Sequence, residues 1–506
     1  MVFRRQFATI VNSSVIVLVL LWSFWWIQSH PLPDGLQNEY LHIGNAYDLW
    51  NALTSGDLWH LRWYAYTSYW PFGFYLAPWP YLSIFGATRE ALVLSNLTYV
   101  LVLVSTLSVL STRFKSPYAP ALLFLSPAIF GSVVRFEPNI ATVSMVSLCL
   151  LCLLNSKGFS SVRWSLVFGA CLGVGLMLDR LILCASVLPP ALWLLAKQRQ
   201  WKNASYSFAV VTILTVAYYR EFLIRHTDEI VTQITTGEID SSGTAVFVDN
   251  PIPLLYYLLS LFDNISGPFV GVALVLGCIA AWRSKQTMDT LLWCSLLPQL
   301  VLFSLLSKQQ SYYAIPALVP LVLLAGRDHR IALFGVAGGA LTWLSVGCGV
   351  GTLGGPWITE RYVAPRYELA EPPSDASWPL SEIGGALEQQ CSIVIFSETP
   401  ELYEGFLVLA LRERLPTNCQ ARGVTMDPMG IWEFWEDVDS VLWVRNHDGA
   451  WPRAGQMRSE LILDHYQLKE LPPLAARIEE AKLEFKHHRS WTIDDTVISV
   501  HYRQEK

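Results

Sequence analysis

Apolar stretches of about 20 residues recur from Val11 to about residue 354 and then stop for good. A bilayer core about 30 Å thick is crossed by a helix of that length, and lipid offers no partner to an unpaired backbone group. The expected fold is therefore an α-helical polytopic membrane protein followed by a soluble part. Composition leaves little alternative: 53% of the 506 residues are hydrophobic and only 15% charged, too few to clothe a soluble domain. The net charge of −6 supplies no dense basic face for phosphates, which argues against a nucleic-acid partner.

Basic residues set the orientation. Arg4 and Arg5 precede the first apolar run with no small-residue cleavage site after it, the pattern of an uncleaved signal anchor with a cytoplasmic N-terminus. Arg113 with Lys115, Lys157 with Arg163, the run KQRQWK (197–202), Arg283 with Lys285, and Arg327 with Arg330 all face the cytoplasm on one set of spans. These spans are 10–28, 91–111, 117–134, 138–156, 164–178, 181–196, 205–224, 267–282, 288–306, 310–326 and 331–353. Spans five and six are separated only by Asp179-Arg180, which reads as a tight exterior turn. The odd count of about eleven spans puts the C-terminus outside. The predicted location is thus the inner cell membrane, multi-pass, with a periplasmic or exterior C-terminal domain.

Two domains follow: a transmembrane domain, 1–355, with exterior loops 29–90 and 225–266, and a soluble domain, 356–506. The first loop carries aromatics and prolines at a density suited to the headgroup region, and short interfacial helices are expected there. PLLYYLLSLF (253–262), in the second, is too short to span. In the soluble part, SIVIFS (392–397) and SVLWV (440–444) read as strands, and 401–415 and 470–485 carry helical patterns, so a small α/β domain is expected. It contains no phosphate-binding glycine motif and no nucleophile elbow. Seven cysteines lie in apolar segments as small hydrophobes, Cys149 and Cys152 among them despite their CxxC spacing. Cys391 and Cys419 could pair if their domain lies outside the cytoplasm. The sequons at Asn96 and Asn203 fall in or beside spans and carry no weight.

Ionisable groups at a membrane boundary are costly unless paired, hydrated or functional, so the exterior ends of the spans are where chemistry is expected. Four clusters stand there. Asp34, Asn38, Glu39, His42 and Asp48 occupy the first loop, and on a helix Glu39 and His42, three apart, share one face. Arg135 and Glu137 occupy the turn RFEP between spans three and four. Tyr218, Tyr219, Arg220, Glu221 and Arg225 end span seven, and Lys308 with Tyr312 and Tyr313 occupies a late turn. Each cluster alone has a plainer reading: Glu137 as a helix cap, Arg220 snorkelling to headgroups, the aromatics as an interfacial belt. Together they set acids on two loops and cations on two others, all on one face. Such a set can take a proton from an acceptor, or hold a metal, and hold a lipid phosphate. A transporter would instead carry polar or glycine-broken helices near the midplane.

The order of these motifs resembles the GT-C class of membrane glycosyltransferases, in particular the protein O-mannosyltransferase and lipid A aminoarabinose transferase relatives. NEYLHIGNA (38–46) resembles their first-loop Asp-Glu motif, with Glu39 and His42 matching the second acid and the histidine. YWPFGFYLAPWPYLSIFG (69–86) is similar to the interfacial segment that follows it. RFEPNIATVSMVSLCLL (135–151) resembles the second acidic motif, with Glu137 in the acid's place. FSLLSKQQSYYAIPALVPLVLLAG (303–326) is similar to the late signature of lysine, tyrosine and proline, matching Lys308, Tyr313 and Pro316. The resemblance covers roughly residues 1–355. It implies transfer of a sugar from a polyprenyl-phosphate donor to an exterior acceptor (glycan, lipid or protein), with inversion.

On that resemblance Glu39, Asn38, His42 and Glu137 form the catalytic set, and Arg135, Arg220, Lys308, Tyr312 and Tyr313 the substrate-binding set. Asn38 stands where the family usually has its first acid, and an amide cannot serve as base. Glu39 is the expected base; the alternatives are that Asp34 or Asp48 folds into the site, or that the chain is a homologue without activity, acting as a binding or scaffolding protein. A divalent ion, Mg or Mn, is left open, since some GT-C enzymes use one and Asn38 weakens a site for a hard cation.

Overall fold

The computed structural model describes residues 2–29, 39–59, 61–62, 70–179, 182–235, 256–284, 286, 288–305, 311–347, 380–387, 392–396, 420–423, 438–446, 484–493 and 496–503. The chain divides into two compact units. One comprises Met1–Ser29, Asn45–Glu238 and Ala245–Leu369, the other His30–Gly44, Ile239–Thr244 and Ala370–Lys506.

The first unit is helical. Among the described residues, three helices are long and apolar enough to cross a membrane: Gln6–Ser29, Arg89–Phe114 and Trp201–Ile224. Shorter apolar helices accompany them at Asn139–Asn155, Val162–Leu178, Ile182–Gln198, Pro268–Ser284, Asp289–Ser304 and Tyr313–Ala325. Large apolar side chains face outward from the long helices, Leu21 being 63% exposed, Leu101 66% and Ile213 76%. Exposure on that scale is stable only against lipid, and the chain is an integral membrane protein.

The expected span 117–134 is not one helix. It breaks into Ala119–Phe124 and Pro127–Val133, with Ser126 extended between them. Pro127 lacks the N–H that would continue the first piece and holds its predecessor out of the helical region. Every residue of both pieces is buried. Ala119–Phe124 packs among Val2–Ser29, Asn96–Phe114, Leu318–Ala325 and His329–Thr342, so this segment is the core of the unit. Two other expected spans also depart from a plain helix. The segment 310–326 enters as a 3-10 helix, Ser311–Ala317, before Leu318–Ala325, and His329–Thr342 passes into a π turn at Trp343–Gly347.

Caps mark several boundaries. Thr88 accepts from the Ala91 amide to start Arg89–Leu94, and Asp328 accepts from Arg330 and Ile331 to start His329–Thr342. Helices in lipid gain little from apolar contact alone and pack where small residues let backbones meet. Gly169 of Val162–Leu178 is such a place: an added Cβ would lie 2.4 Å from the Ser207 carbonyl oxygen of Trp201–Thr235. The Ser207 hydroxyl donates to the Ser165 carbonyl at 2.6 Å beside it. Between Cys152 and Cys171 the sulfurs stand 3.9 Å apart.

The first expected exterior loop does hold short helices, Gly73–Leu76 and Trp79–Phe85, after the longer Glu39–Ser55. In the second, Tyr256–Ser260 is followed by a π turn, Leu261–Ile265.

In the second unit, strands β1 (Ser392–Phe396), β2 (Gln420–Gly423), β3 (Ser440–Asn446), β4 (Phe485–Ile493) and β5 (Thr496–Arg503) form one sheet in the order β2-β1-β3-β5-β4. β1 runs parallel to β2 and β3, while β5 runs antiparallel to β3 and β4. The helix Leu380–Leu387 is tied to the sheet by the Tyr502 hydroxyl, which donates to the Ala386 carbonyl, and by an Arg489–Glu382 ion pair. Residues 401–415 and 470–483, where helices are expected, and Cys391 and Cys419 lie outside the described residues.

Candidate functional site

The best-defined candidate site is built around the turn Arg135-Phe136-Glu137-Pro138. The helix Pro127–Val133 ends there in an apolar interior, and its last carbonyls have no helical donor. Asn96, wholly buried, supplies them: its Nδ2 donates to the carbonyls of Ser132 (3.3 Å), Val133 (3.2 Å) and Arg135 (2.7 Å). The Arg89 guanidinium donates to the Val134 carbonyl at 3.3 Å. A cation and an amide at a helix C-terminus also complement its dipole. The turn is therefore fixed by residues 39 and more positions away in the chain, and Arg135 and Glu137 are both buried.

Glu137 stands just before Asn139–Asn155, where unpaired amides favour negative charge. Asn139 Nδ2 donates to Glu137 Oε2 at 2.8 Å. Between the two charged residues, Phe136 is fully buried and stacks on Phe74 with ring centroids 4.7 Å apart. Phe74 belongs to the aromatic segment singled out in the first loop, which thereby reaches the second acidic motif. Gly73 lets it do so, since an added Cβ would lie 2.4 Å from the Met177 carbonyl oxygen. The next residue, Tyr75, receives a 3.0 Å hydrogen bond on its hydroxyl from Asn45 Nδ2 and so ties in the helix Glu39–Ser55.

Asp179 lies where a tight turn is expected between spans five and six, outside the four clusters. It is 3% exposed and accepts a hydrogen bond from the Thr142 hydroxyl in the first turn of Asn139–Asn155. Its amide closes Val162–Leu178 by donating to Gly175 at 3.0 Å. An acid interrupting a long apolar run is the sequence signal that marks it, since such a group is costly in a membrane unless paired or hydrated. Arg180, the other half of the pair, lies outside the described residues.

Glu39 and His42 lie on one face of Glu39–Ser55, and both are buried, at 0% and 2% exposure. Asn38 and Asp34 lie outside the described residues, and Asp48 is exposed. Arg220 is exposed at 73% of its side chain, 4.0 Å from Glu221, while its neighbours Tyr218 and Tyr219 pack inward. Tyr219 donates to the Leu176 carbonyl at 2.9 Å. Lys308 lies outside the described residues, as does the side chain of Tyr312. Tyr313 is described: its ring stacks on Phe303 at 5.2 Å and its carbonyl accepts from Gln299 Nε2 at 2.8 Å. The structure thus gathers Arg135 and Glu137 into one buried turn, holds Tyr313 on a second anchored segment, and leaves Arg220 outward.

Among the described residues no three or more His, Cys, Asp or Glu side chains stand close enough together to hold a metal ion. The two described carboxylates of the turn region, Glu137 and Asp179, already accept from Asn139 and Thr142.

No family model matches the sequence, and no curated protein sequence matches it. Solved structures do. The crystal structure of ArnT from Cupriavidus metallidurans in the apo state superimposes with a TM-score of 0.59 at 13% identity, over 96% of this chain and 97% of that one. ArnT from the same organism bound to undecaprenyl phosphate gives a TM-score of 0.58 at 13% identity, with the same coverage. The chain therefore shares its fold with these ArnT structures over 96% of its length.

Proposed function

We propose that this protein is a GT-C glycosyltransferase that moves a sugar from a polyprenyl-phosphate donor to an acceptor on the exterior face of the membrane. The observation that carries the reading is the shared fold with ArnT over 96% of the chain, one ArnT structure being bound to undecaprenyl phosphate. The buried acid of the RFEP turn and the motif order support it.

In the proposed reaction an acceptor hydroxyl attacks the anomeric carbon of the donor sugar. The new C–O bond forms on one side as the C–O bond to phosphate breaks on the other, with inversion. Glu39 takes the hydroxyl proton, a role worth about 10²–10⁴-fold in rate, and the electron pair leaves on the phosphate oxygen. Arg135, Arg220 and Lys308 offset the growing phosphate charge, and Tyr312 and Tyr313 flank the donor. His42 and Glu137 orient the acceptor end. The lipid tail lies between spans, which accounts for a site at the membrane boundary; the N-terminus is cytoplasmic and the α/β domain exterior. No step requires the divalent ion.

Asn38 favours one rival, a scaffold without activity. The experiment compares transfer of radiolabelled sugar in membranes carrying wild type, Glu39→Gln or Asn38→Asp. Activity in wild type that Glu39→Gln abolishes is expected; activity only after Asn38→Asp would replace this reading with that of a lapsed enzyme.

A further inference from the structure

Three of the five basic clusters that orient the spans meet at one end of the helical unit. Orientation needs only a charge count on each loop, not contact between loops. Here the loops touch. Arg113, in the last turn of Asn96–Phe114, donates to Asn155 Oδ1 at 2.6 Å. Asn155 leads into the turn Lys157-Gly158-Phe159, where an added Cβ on Gly158 would stand 2.4 Å from Gln198 Cγ of the next loop. Asn203 Nδ2 donates to the Phe159 carbonyl at 2.7 Å and closes the arrangement.

The turn is held in a backbone conformation that L side chains rarely adopt. Lys157, Gly158 and Phe159 have φ of 52°, 67° and 68°, and Arg199 has 56°. Phe159 is fully buried, its ring edge-on to Phe168 at 5.7 Å, so burial fixes the turn while Lys157 stays exposed. Arg113, Arg163, Arg199 and Lys202 are exposed on the same joined loops. The stretches 108–118, 152–168 and 192–206 contain no Asp or Glu.

A plainer account is that cations complement helix C-termini, and it fits Arg113 and Arg199. It does not fit Arg163 and Lys202. Each is the second residue of its helix, Val162–Leu178 and Trp201–Thr235, where the dipole is positive and favours an anion. Side chains and helix ends thus call for the same ligand charge. The same helices expose large apolar side chains, Trp201 at 63%, Leu192 at 54% and Leu166 at 38%, so the cations border a surface suited to acyl chains. We propose that this patch binds an anionic phospholipid of the surrounding membrane, its phosphate held by Lys157, Arg163, Arg199 and Lys202 and its chains lying against the apolar surface beside them. A soluble anion would use the charges and leave that surface unused. The inference does not depend on what the protein transfers.

The experiment measures binding of phosphatidylglycerol and phosphatidylcholine to the detergent-solubilised full chain by native mass spectrometry. Wild type is compared with Arg163→Gln/Lys202→Gln and with Arg283→Gln/Arg330→Gln, which removes as much charge from exposed positions on helices outside the patch. Wild type is expected to favour phosphatidylglycerol, the patch pair to bind it about tenfold more weakly, and the outer pair to match wild type. Arg163→Lys/Lys202→Arg keeps the charges and should also match wild type, which separates lost charge from lost fold; weakening to the level of the glutamine pair would overturn the site. No preference for phosphatidylglycerol in wild type, or equal losses in the two glutamine pairs, would overturn it as well. Displacement of the lipid by glycerol 3-phosphate at equal concentration would overturn the choice of a lipid ligand.

Discussion

The Thr142 hydroxyl donates to the Asp179 carboxylate, joining the first turn of Asn139–Asn155 to the residue that ends Val162–Leu178. Both side chains are buried, so neither can turn to water for a substitute. Asp179→Ala is expected to cost roughly 1–3 kcal/mol of stability and to lower transfer at least tenfold, because Glu137 loses a fixed helix start beside it. Asp179→Asn keeps an acceptor oxygen and should be milder in both respects. Thermal melts and transfer rates of the two variants check this; a wild-type melt for Asp179→Ala would contradict it.

Gly73→Ala tests how the aromatic segment reaches the site. The added methyl meets the Met177 carbonyl oxygen at 2.4 Å, and that backbone atom cannot rotate away. Overpacking of this kind costs roughly 1–3 kcal/mol, and the Phe74–Phe136 stack should loosen with it. Gly44→Ala is the contrast, since open space surrounds its position inside Glu39–Ser55. A helix-interior substitution of that sort should stabilise by about 0.5–1 kcal/mol. Melting temperatures shifting in opposite directions are the expected result.

Asn96 looks like a glycosylation acceptor in sequence but serves three carbonyls. Asn96→Asp replaces its donor with an acceptor facing those oxygens and should be more harmful than Asn96→Ala, by on the order of 1–3 kcal/mol. Because Arg135 and Glu137 flank the supported turn, transfer should fall with stability in both. Denaturation midpoints and activity of the pair are the measurement. An Asn96→Asp variant as stable as wild type would contradict the assigned bonds.

The buried Asp289 pairs with Arg327, whose side chain is 12% exposed and whose Nε also donates to the Phe114 carbonyl at 3.0 Å. Removing one partner leaves an uncompensated charge, so Arg327→Ala should cost roughly 3–5 kcal/mol. Arg327→Ala with Asp289→Asn should be less destabilised than Arg327→Ala alone. Comparing the three melts decides it; additive losses would show that the two groups act separately.

Much of this was legible in the sequence, for reasons that can be named. Unbroken apolar length gives the crossing helix Trp201–Ile224 where span 205–224 is expected and the shorter apolar helix Asn139–Asn155 where span 138–156 is expected, and the aromatic, proline-rich first loop does contain short helices. The shared face of Glu39 and His42 needed only helical spacing. Pro127 is visible in the sequence, yet apolar length outweighs it, and 117–134 reads as one span where the structure breaks it in two. Asp179-Arg180 reads as a tight turn because a polar pair interrupts an apolar run; that Asp179 is buried against Thr142, 37 positions away, is not legible from that pattern.

Transferase activity is measured by whether membranes carrying the chain convert a polyprenyl-phosphate sugar into free polyprenyl phosphate as labelled sugar appears on an acceptor. One lipid phosphate released per sugar transferred is expected in wild type and not in Glu39→Gln. Donor that is bound and returned unchanged, with no labelled acceptor formed, would contradict it.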